Sequence, residues 1–360
     1  MAAAHITPGK LTGYTIIIPL NIPFGYTTDY ISQTARILKN RNRVILFDFR
    51  YPLPLSTFAQ KEKVRKKFWR GCRTVQKQQN PGITLFRPLA LFPFQRFPFV
   101  AKINFYLGIF QLALLLRLWH RPLGLWGFHP YLAFLLNKFG EVFSIYDCTD
   151  YYGEEREVGE ILKQLEKEVF HKASHVFFNS QALLKKKLKD NPILKSKAST
   201  VVCGCDVNLF QVRQKKKDIL APIPPPRLGL VGHINYRIGF PLVLSLLKNH
   251  PDWSVVFIGP AQMAQPEDSQ AHLAQKLQKL KAFPNFYYLG NQPKTKIPTL
   301  VNLLDIGIIP YHTKYAAVRF CNPMKAYEYL GCGKPVVATE IPALKELNSP
   351  LVATTKTRAD

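Results

Sequence analysis

Short apolar runs rich in Ile, Val, Leu and Phe recur along this chain, and each gives way to a stretch of helical spacing before the next begins. Tyr14 to Leu20 is the first, a helix through Arg36 to Asn40 follows, and Arg43 to Phe49 is the second strand. Leu123 to Leu132 and Val142 to Tyr146 continue the order, as do LGLV, VVFI, IGII and VVAT in the second half. Strand, helix, strand in repetition requires parallel pairing, because a crossover helix returns the chain to the same end of the sheet. The fold class is therefore α/β, with ligands expected beyond the carboxyl ends of the strands. That rule places Asn21 to Thr28 beside the first crevice, with Gly25 permitting close backbone approach. The first turn holds no G-x-G-x-x-G, so a dinucleotide cofactor is not indicated.

A chain of 360 residues, 47% of them hydrophobic, can fill two cores of ordinary size. The run QVRQKKKDILAPIPPP, charged and then proline-rich, suits neither a packed helix nor a central strand. It sets the expected division: an amino-terminal domain of residues 1–212, a basic and proline-rich linker of 213–226, and a carboxyl-terminal domain of 227–360.

Forty-nine Lys and Arg against 23 Asp and Glu give a net charge of +26, which attracts a polyanion of some kind. The cations cluster in KEKVRKKFWRGCR from Lys61, KKKLKD from Lys185 and RQKKK from Arg213. No zinc finger, RNP motif or KH loop is present, so specific nucleic-acid binding is not expected. Basic residues instead interleave with apolar ones from Leu85 to Arg121, which points to an anionic membrane surface. Within that stretch Ile103 to Trp119 is an apolar helix candidate, short for a span and interrupted by Gln111 and Arg117. A core helix and an interfacial one both fit it. The amino terminus lacks the basic start and apolar core of a secretory signal, so the expected place is the cytoplasm or the inner face of the membrane. The six cysteines lack zinc-site spacing and are read as reduced; no metal is expected.

Asn322 to Thr339, NPMKAYEYLGCGKPVVAT, carries the most chemistry. Asn322 reads as an N-cap and Pro323 as the first helical residue, so the amides of that turn face an anion, with Lys325 in the same turn. Glu328 lies three residues on, on the same face, and Gly331 and Gly333 end the helix before the VVAT strand. Amides and Lys325 suit a diphosphate, and Glu328 suits the two hydroxyls of a ribose; an exposed Lys325–Glu328 ion pair is the alternative. In the domain's first turn, Gly232 follows a strand and Arg237 comes five residues later, within reach of the same diphosphate. In the first domain, His129 stands at a strand end before Pro130, and Asp147 and Asp150 follow the next strand. These three can orient an acceptor, while Asp150 can equally cap the acidic helix after it.

The pattern P-x-K-x-x-E-Y-L-x-x-G-K-P-V-V-A-T resembles the donor-binding motif of retaining GT-B glycosyltransferases of family 4, the group 1 type. Gly204, Asp206 and Phe210 match a second motif of that family, N-G-x-D-x-x-x-F, with Cys203 in place of the asparagine. Where the family has a first glutamate, eight residues before Glu328, this chain has Phe320; His233 and Ile238 replace the Arg and Lys of its G-R-x-x-x-x-K-G. The resemblance implies a GT-B fold of two doubly wound Rossmann-like domains with parallel sheets facing a central cleft. It implies transfer of a sugar from a nucleotide-diphosphate sugar to a glycan or lipid-linked acceptor, with retention and without a metal or other cofactor. Gly232, Arg237, Asn322, Lys325 and Glu328 are the donor-binding candidates, and His129, Asp147 and Asp150 the acceptor-side ones. A GT-B epimerase and a non-catalytic sugar-binding subunit are the alternatives. The family's domain continues with further helices where this chain ends at LVATTKTRAD, so a fragment or a looser clamp between domains is expected.

Overall fold

The computed structural model describes residues 11–20, 30–48, 75–77, 82–89, 98–118, 121–152, 156–211, 218–261 and 270–356. The Asn21 to Thr28 loop with Gly25, the basic run from Lys61 and the amino-terminal ten residues lie outside them. Contacts divide the chain into two compact units, Met1–Phe178 with Lys186–Ser199, and Asn179–Lys185 with Thr200–Asp360. The division at 199/200 precedes the proline-rich run. The described part of that run packs into the second unit: Leu220 and Ile223 are buried in its core, and Asp218 pairs with Arg227 at 3.1 Å. Proline excludes strand pairing but leaves neighbouring apolar side chains available for packing.

The first sheet is built from β1 (Thr15–Pro19), β2 (Arg43–Phe47), β3 (Val75–Lys77), β4 (Ile83–Phe86), β5 (Leu123–Gly127), β6 (Phe143–Cys148), β7 (His175–Phe178) and β8 (Ala198–Thr200). Their order is β3-β4-β2-β1-β5-β6-β7-β8; from β4 to β7 the pairing is parallel, and β3 is antiparallel on the edge. Helices α1 (Tyr30–Leu38), α2 (Pro98–Arg117), α3 (Arg156–Lys172) and α4 (Gln181–Asp190) complete this run of the chain. Strand β1 is buried along its whole length, as a central parallel strand covered on both faces must be. The chain leaves β1 towards β2 and returns on the other side at β5, which makes the β1/β5 boundary the switch point.

Two elements differ from the sequence reading. The apolar helix begins at Pro98, not Ile103, since proline is well placed in a first turn, and it ends at Arg117. Strand β6 continues to Cys148, so Asp147 lies within it. The run KKKLKD is not wholly a solvated face either. Lys187 is buried and paired with buried Glu166 of α3, whose carboxylate also accepts from Tyr146 Oη at 3.2 Å and lies 3.5 Å from Cys148 Sγ.

The second sheet holds β9 (Arg227–Val231), β10 (Ser254–Ile258), β11 (Phe286–Tyr288), β12 (Ile306–Ile309), β13 (Val336–Thr339) and β14 (Val352–Thr355), all parallel, in the order β11-β10-β9-β12-β13-β14. Around it lie α5 (Val207–Phe210), α6 (Phe240–Asn249), α7 (Gln270–Lys281), α8 (Ile297–Asn302), α9 (Ala316–Arg319), α10 (Met324–Gly331) and α11 (Pro342–Lys345). Its switch point falls between β9 and β12. Ile306 pairs with Leu228 and Gly307 with Gly229 there, and beyond them Tyr329 of α10 enters. Its hydroxyl accepts from Val231 N at 2.8 Å and donates to Gly229 O at 3.1 Å, with the ring packed so tightly on Gly307 that a Cβ there would sit 2.2 Å from it. The expected two doubly wound Rossmann-like domains are both present.

Candidate functional site

The second unit concentrates its polar chemistry outside the β9/β12 switch point. Strand β9 delivers Gly232, whose φ of +123° favours glycine, and β10 delivers Gly259 at φ +142°. A Cβ on Gly259 would lie 2.0 Å from Gly232 O, so the two turns stack with no room for a side chain. Gly259 was not singled out from sequence, although a Gly-Pro pair directly after a strand is its signal.

Helix α10 brings its first turn to the same place. Lys325 Nζ lies 3.4 Å from where a Cβ on Gly232 would stand and 4.9 Å from the Tyr311 ring centroid, just after β12. The alternative of an ion pair with Glu328 is not formed; among the described residues Lys325 makes no salt bridge. Glu328 is half-buried, and desolvation pushes its carboxyl up while Lys325 pulls it down. His233, the residue after Gly232, titrates below its ordinary range because of burial first and then the charges of Lys325 and Arg237. Both cations therefore bear on one imidazole. Arg237 is set by its own turn: its N–H donates to Asn235 Oδ1 at 3.0 Å, its carbonyl accepts from His312 N at 2.7 Å, and its guanidinium lies 5.9 Å from the Tyr236 ring centroid.

Asn322 takes a different part from the one expected. Pro323, not Asn322, is the N-cap of α10, and no side chain caps that turn. Asn322 is only 4% exposed, and its amide donates to Asn179 O at 2.7 Å and bonds with Tyr327 Oη at 2.9 Å. It fixes the loop before the helix, and the amides of the first turn are left without a side-chain acceptor. The helix ends as read, with Cys332 as C-cap and Gly333 at φ +68°. What converges is thus Gly232, Arg237, Lys325 and Glu328, joined by His233, Tyr311 and Gly259. Such a set, cationic at one end and carboxylate at the other, can hold a diphosphate and a vicinal diol.

In the first unit the acceptor-side candidates gather near the end of β5. His129 N-caps the 3-10 turn Pro130–Phe134, its Nδ1 accepting from Tyr131 N at 3.3 Å, which leaves the proton on Nε2 and makes that atom a donor. Its ring centroid is 5.0 Å from that of Tyr152, whose titration the Asp150 charge raises after burial. Asp150 follows the end of β6 by two residues. Asp147, the penultimate residue of β6, is half-buried: desolvation lifts its carboxyl to about 7, with Trp126 opposing. No group of His, Cys, Asp and Glu suited to a metal occurs among the described residues.

Residues 211–356 match the family profile of glycosyl transferases group 1. A curated relative, TuaH of Bacillus subtilis (strain 168), assigned to teichuronic acid biosynthesis as a glycosyltransferase, is 27% identical over 240 residues, 63% of this chain and 58% of its own length. Among solved structures, sucrose-phosphate synthase of Thermosynechococcus elongatus superposes with a TM-score of 0.71 at 13% identity, over 96% of this chain and 86% of that one. Anabaena HepE, solved with UDP-glucose, gives 0.64 at 17% identity with the same coverage. The chain has the GT-B fold and is related to the group 1 glycosyltransferases. The profile match to the group 1 family contains Arg237, Lys325 and Glu328, and so takes in the whole polar cluster of the second unit.

Proposed function

We propose that this chain is a glycosyltransferase that moves a sugar from a nucleotide-diphosphate sugar to a glycan or lipid-linked acceptor in cell-surface polysaccharide synthesis, with retention. The observation that carries the reading is Lys325, unpaired with any carboxylate among the described residues, poised over the glycine turn after β9 with half-buried Glu328 on the same helix. As the bond from sugar to diphosphate breaks, the leaving phosphate gains charge. Lys325, Arg237 and the first-turn amides of α10 then interact more strongly with the transition state than with the bound donor. Glu328 accepts hydrogen bonds from the ribose hydroxyls and holds the donor without entering the chemistry. On the acceptor side, His129 donates from Nε2, and Asp147 and Asp150 orient the incoming hydroxyl. The UDP-glucose complex of the Anabaena protein and the teichuronic acid biosynthesis role assigned to TuaH support donor class and pathway type.

The test is a thermal-shift screen of uridine, guanosine and adenosine diphosphates and their sugars, followed by calorimetry. One nucleotide class raises the melting temperature, and Glu328→Ala weakens its binding. Affinity in Glu328→Ala equal to the parent's would sink the ribose assignment; no stabilisation by any nucleotide would sink the function. The anomeric configuration of the product, read by NMR, checks retention. Phe320, standing where the family has a carboxylate, favours one second reading, a sugar-binding subunit, which would bind nucleotide without turnover.

A further inference from the structure

We infer that helix α2 is the membrane-docking element of this chain and lies flat on a bilayer with anionic headgroups. One side of α2 is built into the first unit. Ala101, Phe105 and Leu112 are buried, and a Cβ on Gly108 would lie 3.1 Å from the Pro88 ring. Phe105 meets Phe134 at 5.7 Å between centroids, and the Gln111 side chain both accepts from Leu89 N and donates to Leu89 O at 2.9 Å.

The opposite side carries large apolar groups at helical spacing: Phe99 is 73% exposed, Tyr106 52%, Phe110 60%, Leu114 45% and Leu118, just past the helix, 73%. Isolated exposed apolar residues need no explanation, but a row of five along one face does. The window Phe99–Arg117 is long and apolar enough to cross a membrane, with a mean hydropathy of 1.8, yet its fastening to Leu89 and Phe134 holds it broadside to the unit. A helix held that way can enter the headgroup region without spanning it.

Charge chooses the occupant. The exposed residues of the helix include Lys102 near one end and Arg117 at the other, and α2 contains no acidic residue. A second copy of the chain would bring the same cations against themselves, whereas an anionic lipid surface complements them and the net charge of +26. Docking would bring a lipid-linked acceptor to the first unit. That purpose rests on the proposed function; the docking itself does not, so vesicle binding and nucleotide binding can fail separately.

The full chain is sedimented with phosphatidylcholine vesicles with and without phosphatidylglycerol, at rising salt. Binding is expected to the anionic vesicles and to weaken with salt. Phe110→Ser with Leu114→Ser, both exposed, should lower the partition coefficient by at least about tenfold with an unchanged melting temperature. Lys102→Glu with Arg117→Glu should lower it several-fold on anionic vesicles only. Lys248→Glu with Lys279→Glu, exposed cations of the second unit, should leave it unaltered. Parent-like binding by the serine variant overturns the inference. So does a lipid-free dimer in sedimentation velocity that the serine variant dissociates, which would give the face to a second copy.

Discussion

Lys325→Met separates binding from folding more cleanly than any other change at the candidate donor site. The ammonium makes no salt bridge among the described residues, so its removal breaks no ion pair; half-buried Glu328 loses only the longer-range pull of that charge, and the Met side chain can retain contact with Tyr311. Unfolding free energy should move by less than about 1 kcal/mol. Binding should respond far more. Two unit charges about 4 Å apart at an effective dielectric near 20 interact by about 4 kcal/mol. Partial exposure and the neighbouring Arg237 reduce the share lost to roughly 1.4–2.8 kcal/mol, a 10- to 100-fold rise in Kd. Calorimetry with the nucleoside diphosphate found in the screen reads affinity, and urea unfolding reads stability. A third signal is internal: with one of the two cations beside it gone, His233 should titrate higher by NMR. The reasoning fails if nucleotide affinity is unchanged, or if stability falls as much as affinity.

Three other perturbations probe the scaffold. Glu166→Gln leaves Lys187 buried without its anion and should cost about 3–5 kcal/mol in chemical denaturation, most of it recovered when Glu166→Leu is combined with Lys187→Met. Asp147 has a folded-state pKa of about 7 against an ordinary 3.8, so the native state binds the extra proton between those values. Stability should therefore fall as pH rises from about 4 to about 7, by at most about 1.4 kcal/mol per unit, and Asp147→Asn should flatten that slope in melting curves across pH. Gly259→Ala drives a methyl into Gly232 O at a φ that favours glycine. A loss above about 2 kcal/mol with weakened nucleotide binding is expected, and a neutral result would refute the stacked-turn geometry.

The strands were legible because each is an apolar run with few rivals for its period, and β1 and β9 fall within a residue or two of where the runs place them. That Lys325 and Gly232 would come together was legible, because a cation near a helix start and a residue without Cβ in the turn after a strand share the carboxyl edge of one parallel sheet. Residues whose role depends on a distant partner were not. Lys187 sits in a run of lysines that reads as solvated, and only the arrival of Glu166, 21 positions earlier, buries it. Asn322 has every local mark of an N-cap, yet the Asn179 carbonyl and the Tyr327 hydroxyl claim its amide. Asp147 reads as a loop acid because the pattern alone does not say that β6 continues two residues further.

The phenol of Tyr329 stands in for a backbone rung between β9 and the strand across the switch point. The helix bearing Lys325 and Glu328 is consequently tied to the strand that leads into Gly232, and neither can shift without breaking a hydrogen bond of the Tyr329 hydroxyl to the β9 backbone. Adjustment to different ligands must then come from side-chain rotation at Lys325 and Arg237. Selectivity changes are accordingly to be sought in those rotamers, with α10 acting as a fixed post.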